Sequence, residues 1–338
     1  MSVKGRARRN ILIGVILGAL VFLGVIVYSG RQELTQALKQ FPPVLFLALI
    51  GLSFINYLFR FAKWHYYLGQ LDIEIPAGRS LVVFLSGLVM TISPGKMGEV
   101  IKSYFLKGVT GTPISRSAPI VVAERLTDFF ALLILAGVGF LYFTVSSYLI
   151  AAAFVFALLM AMILMIGSRR FSLWCIGILE RIGPLHKIGD KIRTAYESTY
   201  FLTRLHRLIV ATVLSVLAWA CECAGFWIVL RTFRADASTL SATFIYSLGT
   251  IFGAVSPGGL FITEGTMLAM LQNNTLMSGG VLTPGEAGAA TIIIRCATLW
   301  FAVVLGAVIL GFKHGMFSRA AEELERDRIS AEKEEGAR

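Results

Sequence analysis

Charge is scarce in this chain, and long polar stretches are scarcer. Of 338 residues, 15% are Asp, Glu, Lys or Arg, 56% are hydrophobic, and the mean hydropathy is +0.75. Soluble domains carry about a quarter charged residues, so this balance excludes a soluble globular protein. The longest polar interruption, Ser168 to Arg207, spans about 40 residues, too few for a separate soluble catalytic domain. Cysteine and histidine are also few. Cys175, Cys221, Cys223 and Cys296 are scattered through apolar surroundings without metal-ligand or redox spacing, and read as packing thiols. His65, His186, His206 and His314 fall near predicted helix ends, where a solvated or headgroup-facing role suffices. No metal site and no cofactor is expected. A Walker-type loop is missing, which removes ATP hydrolysis. The His-Glu-x-x-His and Gly-x-Ser-x-Gly signatures of intramembrane catalysis are missing too, so the chain is read as not an enzyme.

What is present is a series of apolar runs about 20 residues long, each able to cross a hydrocarbon core of about 30 Å. Six could span, at about 10 to 29, 43 to 68, 114 to 143, 147 to 167, 207 to 230 and 286 to 311. The first follows Lys4, Arg6, Arg8 and Arg9 but ends without a cleavage pattern, so it is read as a retained span and not a signal peptide. Two shorter runs stop at Ser93-Pro94-Gly95-Lys96 and at Ser256-Pro257-Gly258-Gly259. Proline removes a backbone donor and clashes with the preceding turn, so each helix should break there. The expected fold is an all-α polytopic membrane protein of about six full spans plus two re-entrant hairpins, or eight spans if the broken segments cross. The cations lie between apolar runs, which points to lipid headgroups and excludes nucleic acid.

Charge counting separates the two topologies, because Lys and Arg collect on the cytoplasmic side of short connections. With Lys96, Arg125 and Arg295 set aside as embedded, 28 of the 31 cations remain. Full crossing puts 15 inside and 13 outside, whereas re-entry of both segments puts 24 inside and 4 outside. Re-entry makes the two halves inverted copies, with both termini cytoplasmic. The resulting units are 1–42, an N-terminal span and external connection; 43–145, a first repeat with a hairpin at 80–107; 146–206, a linking span and basic connector; 207–312, a second repeat with a hairpin at 239–275; and 313–338, a charged tail. The matching marks are Ser-Pro-Gly, then Glu99 and Arg125, against Ser-Pro-Gly, then Glu264 and Arg295. Inverted repeats with discontinuous helices at the midplane are the architecture of alternating-access carriers.

Ionisable groups at bilayer depth cost about 2.5 to 3.5 kcal/mol each on insertion scales, so they face a cavity and pair. Lys96, Glu99, Lys102, Glu124, Arg125, Asp128, Glu222, Glu264 and Arg295 make such a set. Glu124 and Asp128 share a helical face, with Arg125 turned about 100° from Glu124, so the arginine and the acids are expected to serve different partners. Arg60 and Lys63 are expected to snorkel to the cytoplasmic interface, and Asn56 to make a polar packing contact. Each break exposes backbone N–H groups and a positive dipole end, and such ends bind phosphate. Gly95 with Arg125, and Gly258 with Arg295, would then form two phosphate cradles. Lys96, Glu99, Glu124, Asp128, Gly259 and Glu264 complete the candidate substrate site, and Glu222 is a candidate coupling residue.

At these residues the chain resembles the lysylphosphatidylglycerol synthase transmembrane family, also described as flippase-like integral membrane proteins. The resemblance runs from about residue 43 to 312. It is carried by Pro94-Gly95-Lys96-Met97-Gly98-Glu99, Glu124-Arg125-Leu126-Thr127-Asp128, Pro257-Gly258-Gly259-Leu260 with Glu264-Gly265, and Arg295. The family usually has glycine where this chain has Phe261, which implies a more closed second tip or a different headgroup. No aminoacyl-transferase domain accompanies the resemblance, so it implies translocation of lipid between leaflets and not lipid synthesis. The expected partner is a membrane phospholipid or polyprenyl-phosphate lipid in a bacterial or archaeal cytoplasmic membrane. Two rivals remain: an ion-coupled carrier of a small anion, and a non-catalytic partner of a lipid-modifying enzyme docking through Lys313 to Arg338. Gly14 and Gly18 form a Gly-x-x-x-Gly pair, which leaves an oligomer open.

Overall fold

A computed structural model of the chain describes residues 3–93, 97–140, 199–234, 236–254, 256, 259–274, 276–277, 280–313 and 315. The expected span at 147–167, the residues Gly95, Lys96 and Gly258, and the charged tail from 316 lie outside them.

Every regular element among the described residues is helical. In chain order these are α1 (Val3–Ser29), α2 (Arg31–Gln40), α3 (Pro43–Gln70) and α4 (Ala77–Gly87), which tightens into a 3₁₀ turn at Leu88–Met90. After a second 3₁₀ turn at Met97–Val100 come α5 (Ile101–Thr110), α6 (Ile114–Phe140), α7 (Leu205–Phe233), α8 (Thr239–Gly253) and α9 (Ile262–Leu271). The last helix, α10 (Pro284–Phe312), contains a π turn at Cys296–Trp300. Its start is fixed by Pro284 in the first turn and a reciprocal cap between Thr283 and Glu286. Gly30, at φ 74°, turns the chain through 102° between α1 and α2.

Pro43–Gln70, Leu205–Phe233 and Pro284–Phe312 are long and apolar enough to cross a membrane. Ile16–Ser29 with Arg31–Gln40 makes a fourth if that bent pair is one span. The 27 residues of α6 reach about 40 Å, but Glu124, Arg125 and Asp128 interrupt its middle. The helices Ala77–Met90, Thr239–Gly253 and Ile262–Leu271 are shorter. The chain is therefore an all-helical membrane protein, with three or four candidate spans and shorter apolar helices among the described residues.

Its burial pattern is inverted relative to a soluble protein. On α3, Val44 and Leu47 are 69% and 70% exposed, whereas Lys63 on the opposite face is 1% exposed. The inward face of α3 carries Ser53, Asn56, Tyr57, Arg60, Lys63, Trp64 and Tyr67 at three- and four-residue spacing. On α7, Leu205, Ile209, Val213 and Leu217 form an exposed i, i+4 row. Apolar outside and ionised inside is the arrangement that lipid selects.

Helix α7 packs against α3, α6 and α8; α6 lies along α8, and the second half of α10 lies along α4. Both of the latter contacts are backbone-close at a glycine. A Cβ on Gly139 would fall 2.6 Å from the Phe244 nitrogen, and one on Gly306 would fall 2.3 Å from the Val89 nitrogen. Gly18 also packs within the chain: a Cβ there would meet the Trp300 ring at 2.0 Å. The segment between α3 and α6 leaves and returns at one end of the bundle, where Arg116 donates to the Leu71 carbonyl at 2.6 Å. The segment between α7 and α10 does the same at the other end, where Arg234 donates to the Val281 carbonyl at 2.7 Å.

Candidate functional site

Between these helices lies a cavity of about 250 Å³. Tyr57 and Arg60 come from α3, Arg125, Asp128, Phe129 and Leu132 from α6, and Trp219 and Glu222 from α7. Tyr246, Thr250 and Gly253 of α8, Ser256, Gly259, Thr263 of α9, and Arg295, Thr298 and Leu299 of α10 complete the wall together with Thr91, Ala254 and Ala302. Three guanidinium groups and two carboxyl groups thus share a wall with phenylalanine, leucine and tryptophan side chains.

Each arginine expected at a break meets the glutamate that follows that break. Arg125 donates to Glu99 at 2.8 Å, and Arg295 Nε donates to Glu264 at 2.5 Å. Glu99 and Glu264 are 1% and 2% exposed, so both pairs are buried on the acid side. The Arg125 side chain keeps 19% of its surface open. At the second break Gly259 has φ 75°, and a Cβ there would fall 2.6 Å from Thr263 Oγ1, so the tip backbone requires glycine; the Arg295 guanidinium lies beside it in ordinary contact.

Arg125 and the face that carries Glu124 and Asp128 do not serve wholly separate partners, because Asp128 is a neighbour of Arg125 at i, i+3. Arg125 reaches one turn onward to Asp128 at 3.3 Å, and the same carboxylate takes Lys63 at 2.5 Å. Glu124 turns to Lys102 at 2.6 Å, and neither is a lining residue of the cavity. The Lys102 ammonium also lies over the Trp64 ring, 4.7 Å from its centroid. Glu222 lines the cavity and accepts from the Tyr246 hydroxyl at 2.5 Å.

Arg60 and Lys63 do not snorkel. They are 4% and 1% exposed, Arg60 standing 3.5 Å from Glu99 and Lys63 bonding Asp128. The reason is their phase on α3: they continue the buried stripe of Asn56, Tyr57 and Trp64. Asn56 does make the packing contact expected of it, donating to the Ala218 carbonyl at 2.8 Å. Arg60, placed by the sequence at the interface, and Tyr57, Trp219 and Tyr246, to which the sequence gives no role, are among the residues that line the cavity. For Arg60 a usable signal existed, a polar and aromatic stripe at helical spacing. For the aromatics no signal separates cavity lining from packing.

Phe261 sits at φ 69°, ψ −53°, a conformation that costs a non-glycine residue about 1 to 3 kcal/mol. Glycine adopts it freely, so the backbone of this tip is one that a glycine sequence would form without strain. Phe261→Gly is therefore expected to raise the thermal unfolding midpoint in detergent, by the equivalent of about 1 kcal/mol. An unchanged or lowered midpoint would mean that the half-exposed ring contributes more than its backbone costs.

Broken helices around a buried, charged and partly apolar cavity define a multi-pass helical membrane protein with a polar interior site. The chain belongs to the family described as lysylphosphatidylglycerol synthase TM region, which matches residues 12–306. It is similar to a UPF0104 membrane protein of Methanothermobacter thermautotrophicus, 23% identical over 324 residues, covering 88% of this chain and 94% of the relative. It is also similar to a UPF0104 membrane protein of Methanocaldococcus jannaschii, 21% identical over 316 residues, covering 87% and 92%.

Proposed function

We propose that the protein moves a phosphate-bearing lipid between leaflets, with the headgroup passing through the central cavity and the tails remaining in the bilayer. The observation that carries this is the repeated pair Arg125–Glu99 and Arg295–Glu264, one at each break. A carboxylate that holds each guanidinium in an empty site can be displaced by a phosphate, whose oxygens match the same planar fork. A lipid suits the cavity better than a soluble anion. Phe129, Leu132 and Leu299 line it, and Phe252, Phe261 and Ile262 are exposed beside its second tip, giving acyl chains an apolar exit. The family's description, which links it to lysylphosphatidylglycerol synthase, points the same way.

The re-entrant, inverted arrangement is part of this proposal. It is supported by the paired closures Arg116 to Leu71 and Arg234 to Val281, which return each broken segment to the end it left. The glycine contacts pair in the same sense, α6 on α8 through Gly139 and α10 on α4 through Gly306. Burial of Arg60, Lys63 and Lys102 removes three cations from the charge count, leaving 21 inside and 4 outside for re-entry against 13 and 12 for crossing. In a cysteine-free background, Glu74→Cys and Thr112→Cys should both react with an impermeant maleimide from the cytoplasmic face only. Asp236→Cys and Asn274→Cys should react only from outside. Labelling of Glu74→Cys and Thr112→Cys from opposite faces would contradict re-entry.

Transport itself is tested in liposomes carrying fluorescent phospholipid in both leaflets. Wild-type protein should let an impermeant reductant bleach more than the outer-leaflet fraction. Bleaching equal to that of protein-free liposomes, across phospholipid and polyprenyl-phosphate probes with and without an ion gradient, would overturn the proposal.

A further inference from the structure

The Lys63 ammonium is enclosed by oxygen. It meets Asp128 Oδ1 at 2.5 Å, Ser215 Oγ at 2.6 Å, the Glu124 carbonyl at 3.3 Å and Thr127 Oγ1 at 3.3 Å. Ser215 Oγ in turn donates to Asp128 Oδ1 at 3.0 Å, so the ligands are tied to one another. One carboxylate, one backbone carbonyl and two hydroxyls make the hard oxygen set that binds alkali cations. They come from α6 and α7 and close around a side chain supplied by α3. Lys63, Ser215 and Thr127 are 1%, 0% and 0% exposed, so the enclosure is fully withdrawn from solvent.

We propose that this enclosure is a monovalent-cation site whose resident cation is the chain's own Lys63 ammonium. The oxygen set is complete without the lysine stem, and the stem delivers to it only a single positive charge and hydrogen-bond donors. Removing the lysine side chain leaves the Asp128 carboxylate, the Glu124 carbonyl and two hydroxyls converging on the point that the ammonium held. A free Na⁺ or K⁺ can take that point as the ammonium does, whereas choline carries its charge behind methyl groups and cannot bring it into contact with the oxygens. Asp128 also lines the headgroup cavity and contacts Arg125, so the occupant of this site sets the charge balance beside the arginine. The inference stands whether or not the cavity carries lipid, because its test involves no transport.

Purified full-length protein in detergent is heated at constant ionic strength in NaCl, KCl or choline chloride. Wild type should unfold at the same temperature in all three, since Lys63 already fills the site. Lys63→Ala should unfold several degrees lower in choline and regain most of that loss in NaCl or KCl, with a saturable dependence on the cation. The regain should vanish in Lys63→Ala with Asp128→Asn, which removes the charged ligand. Lys63→Ser, whose short side chain also leaves the enclosure without its ammonium, is measured in parallel in case the alanine variant is poorly recovered. Equal unfolding temperatures in all three salts for either recovered variant would overturn the proposal. So would failure of both variants to fold in NaCl or KCl, because a cation-filled site should replace the ammonium.

Discussion

Arg295→Ala is expected to abolish lipid movement, and removing Glu264 with it is expected not to restore it. The two carboxyl-paired arginines admit two explanations, and the double variant separates them. If Arg295 only neutralises Glu264, the harm in Arg295→Ala comes from an uncompensated buried charge, and Arg295→Ala with Glu264→Ala should recover both stability and transport. If Arg295 receives the headgroup phosphate, the double variant recovers stability and stays inactive. A charge-assisted hydrogen bond contributes about 1.5 to 3 kcal/mol, so loss of the guanidinium should weaken headgroup binding roughly 10- to 100-fold. Arg295→Lys keeps the charge but loses the planar fork, and should fall between wild type and alanine. Arg125→Ala should lose transport in the same way, but adding Glu99→Ala should not recover stability there, because Glu99 also stands 3.5 Å from Arg60 and from Lys102. Liposome bleaching rates alongside unfolding temperatures read both quantities.

Glu124→Ala is expected to destabilise the protein by about 3 to 5 kcal/mol, because it leaves the Lys102 ammonium buried without its nearest counter-charge. The pair is 2.6 Å apart with both side chains at 1–2% exposure, and the Lys102 stem lies so flat on α4 that a Cβ at Gly87 would meet it at 2.3 Å. Lys102→Met with Glu124→Leu should return most of the loss, since the desolvation cost of two ions disappears with their attraction. Denaturation of each variant in detergent checks this. A Glu124→Ala variant within 1 kcal/mol of wild type (about a fivefold change in the folding equilibrium) would mean that Glu99, 3.5 Å from Lys102, already neutralises it.

Much of this site was legible in the sequence because membranes make charge conspicuous. Glu99, Arg125, Glu264 and Arg295 stood out as ions inside apolar runs, and their order after each Ser-Pro-Gly suggested which would pair. The structure adds the pairing distances and the bonds from Arg116 to Leu71 and from Arg234 to Val281. Depth along α3 alone puts Arg60 and Lys63 at the interface, and the structure buries both. Their phase on α3 decides the matter, since both continue the face that carries Asn56, Tyr57 and Trp64. Glu124 and Asp128 share a face in the sequence yet part in space, because α5 brings Lys102 to one and α3 brings Lys63 to the other. Such a choice depends on tertiary packing and leaves no mark in local spacing. Phe261 was visible only as a departure from a family glycine. Its positive φ supplies the physical meaning of that position.

The central claim, that the cavity receives a lipid phosphate, is tested most directly by capture from inside it. Phe129 lines the cavity, and a photoreactive benzoylphenylalanine at that position should crosslink lipid in native membranes. The captured species should be enriched in phosphate-bearing headgroups relative to the surrounding bilayer, and should be lost in Arg125→Ala. The same probe at Phe54, 45% exposed on the outer face of α3, should capture the bulk lipid mixture in both backgrounds. No lipid at Phe129, or bulk lipid that ignores the arginine substitution, would contradict the account.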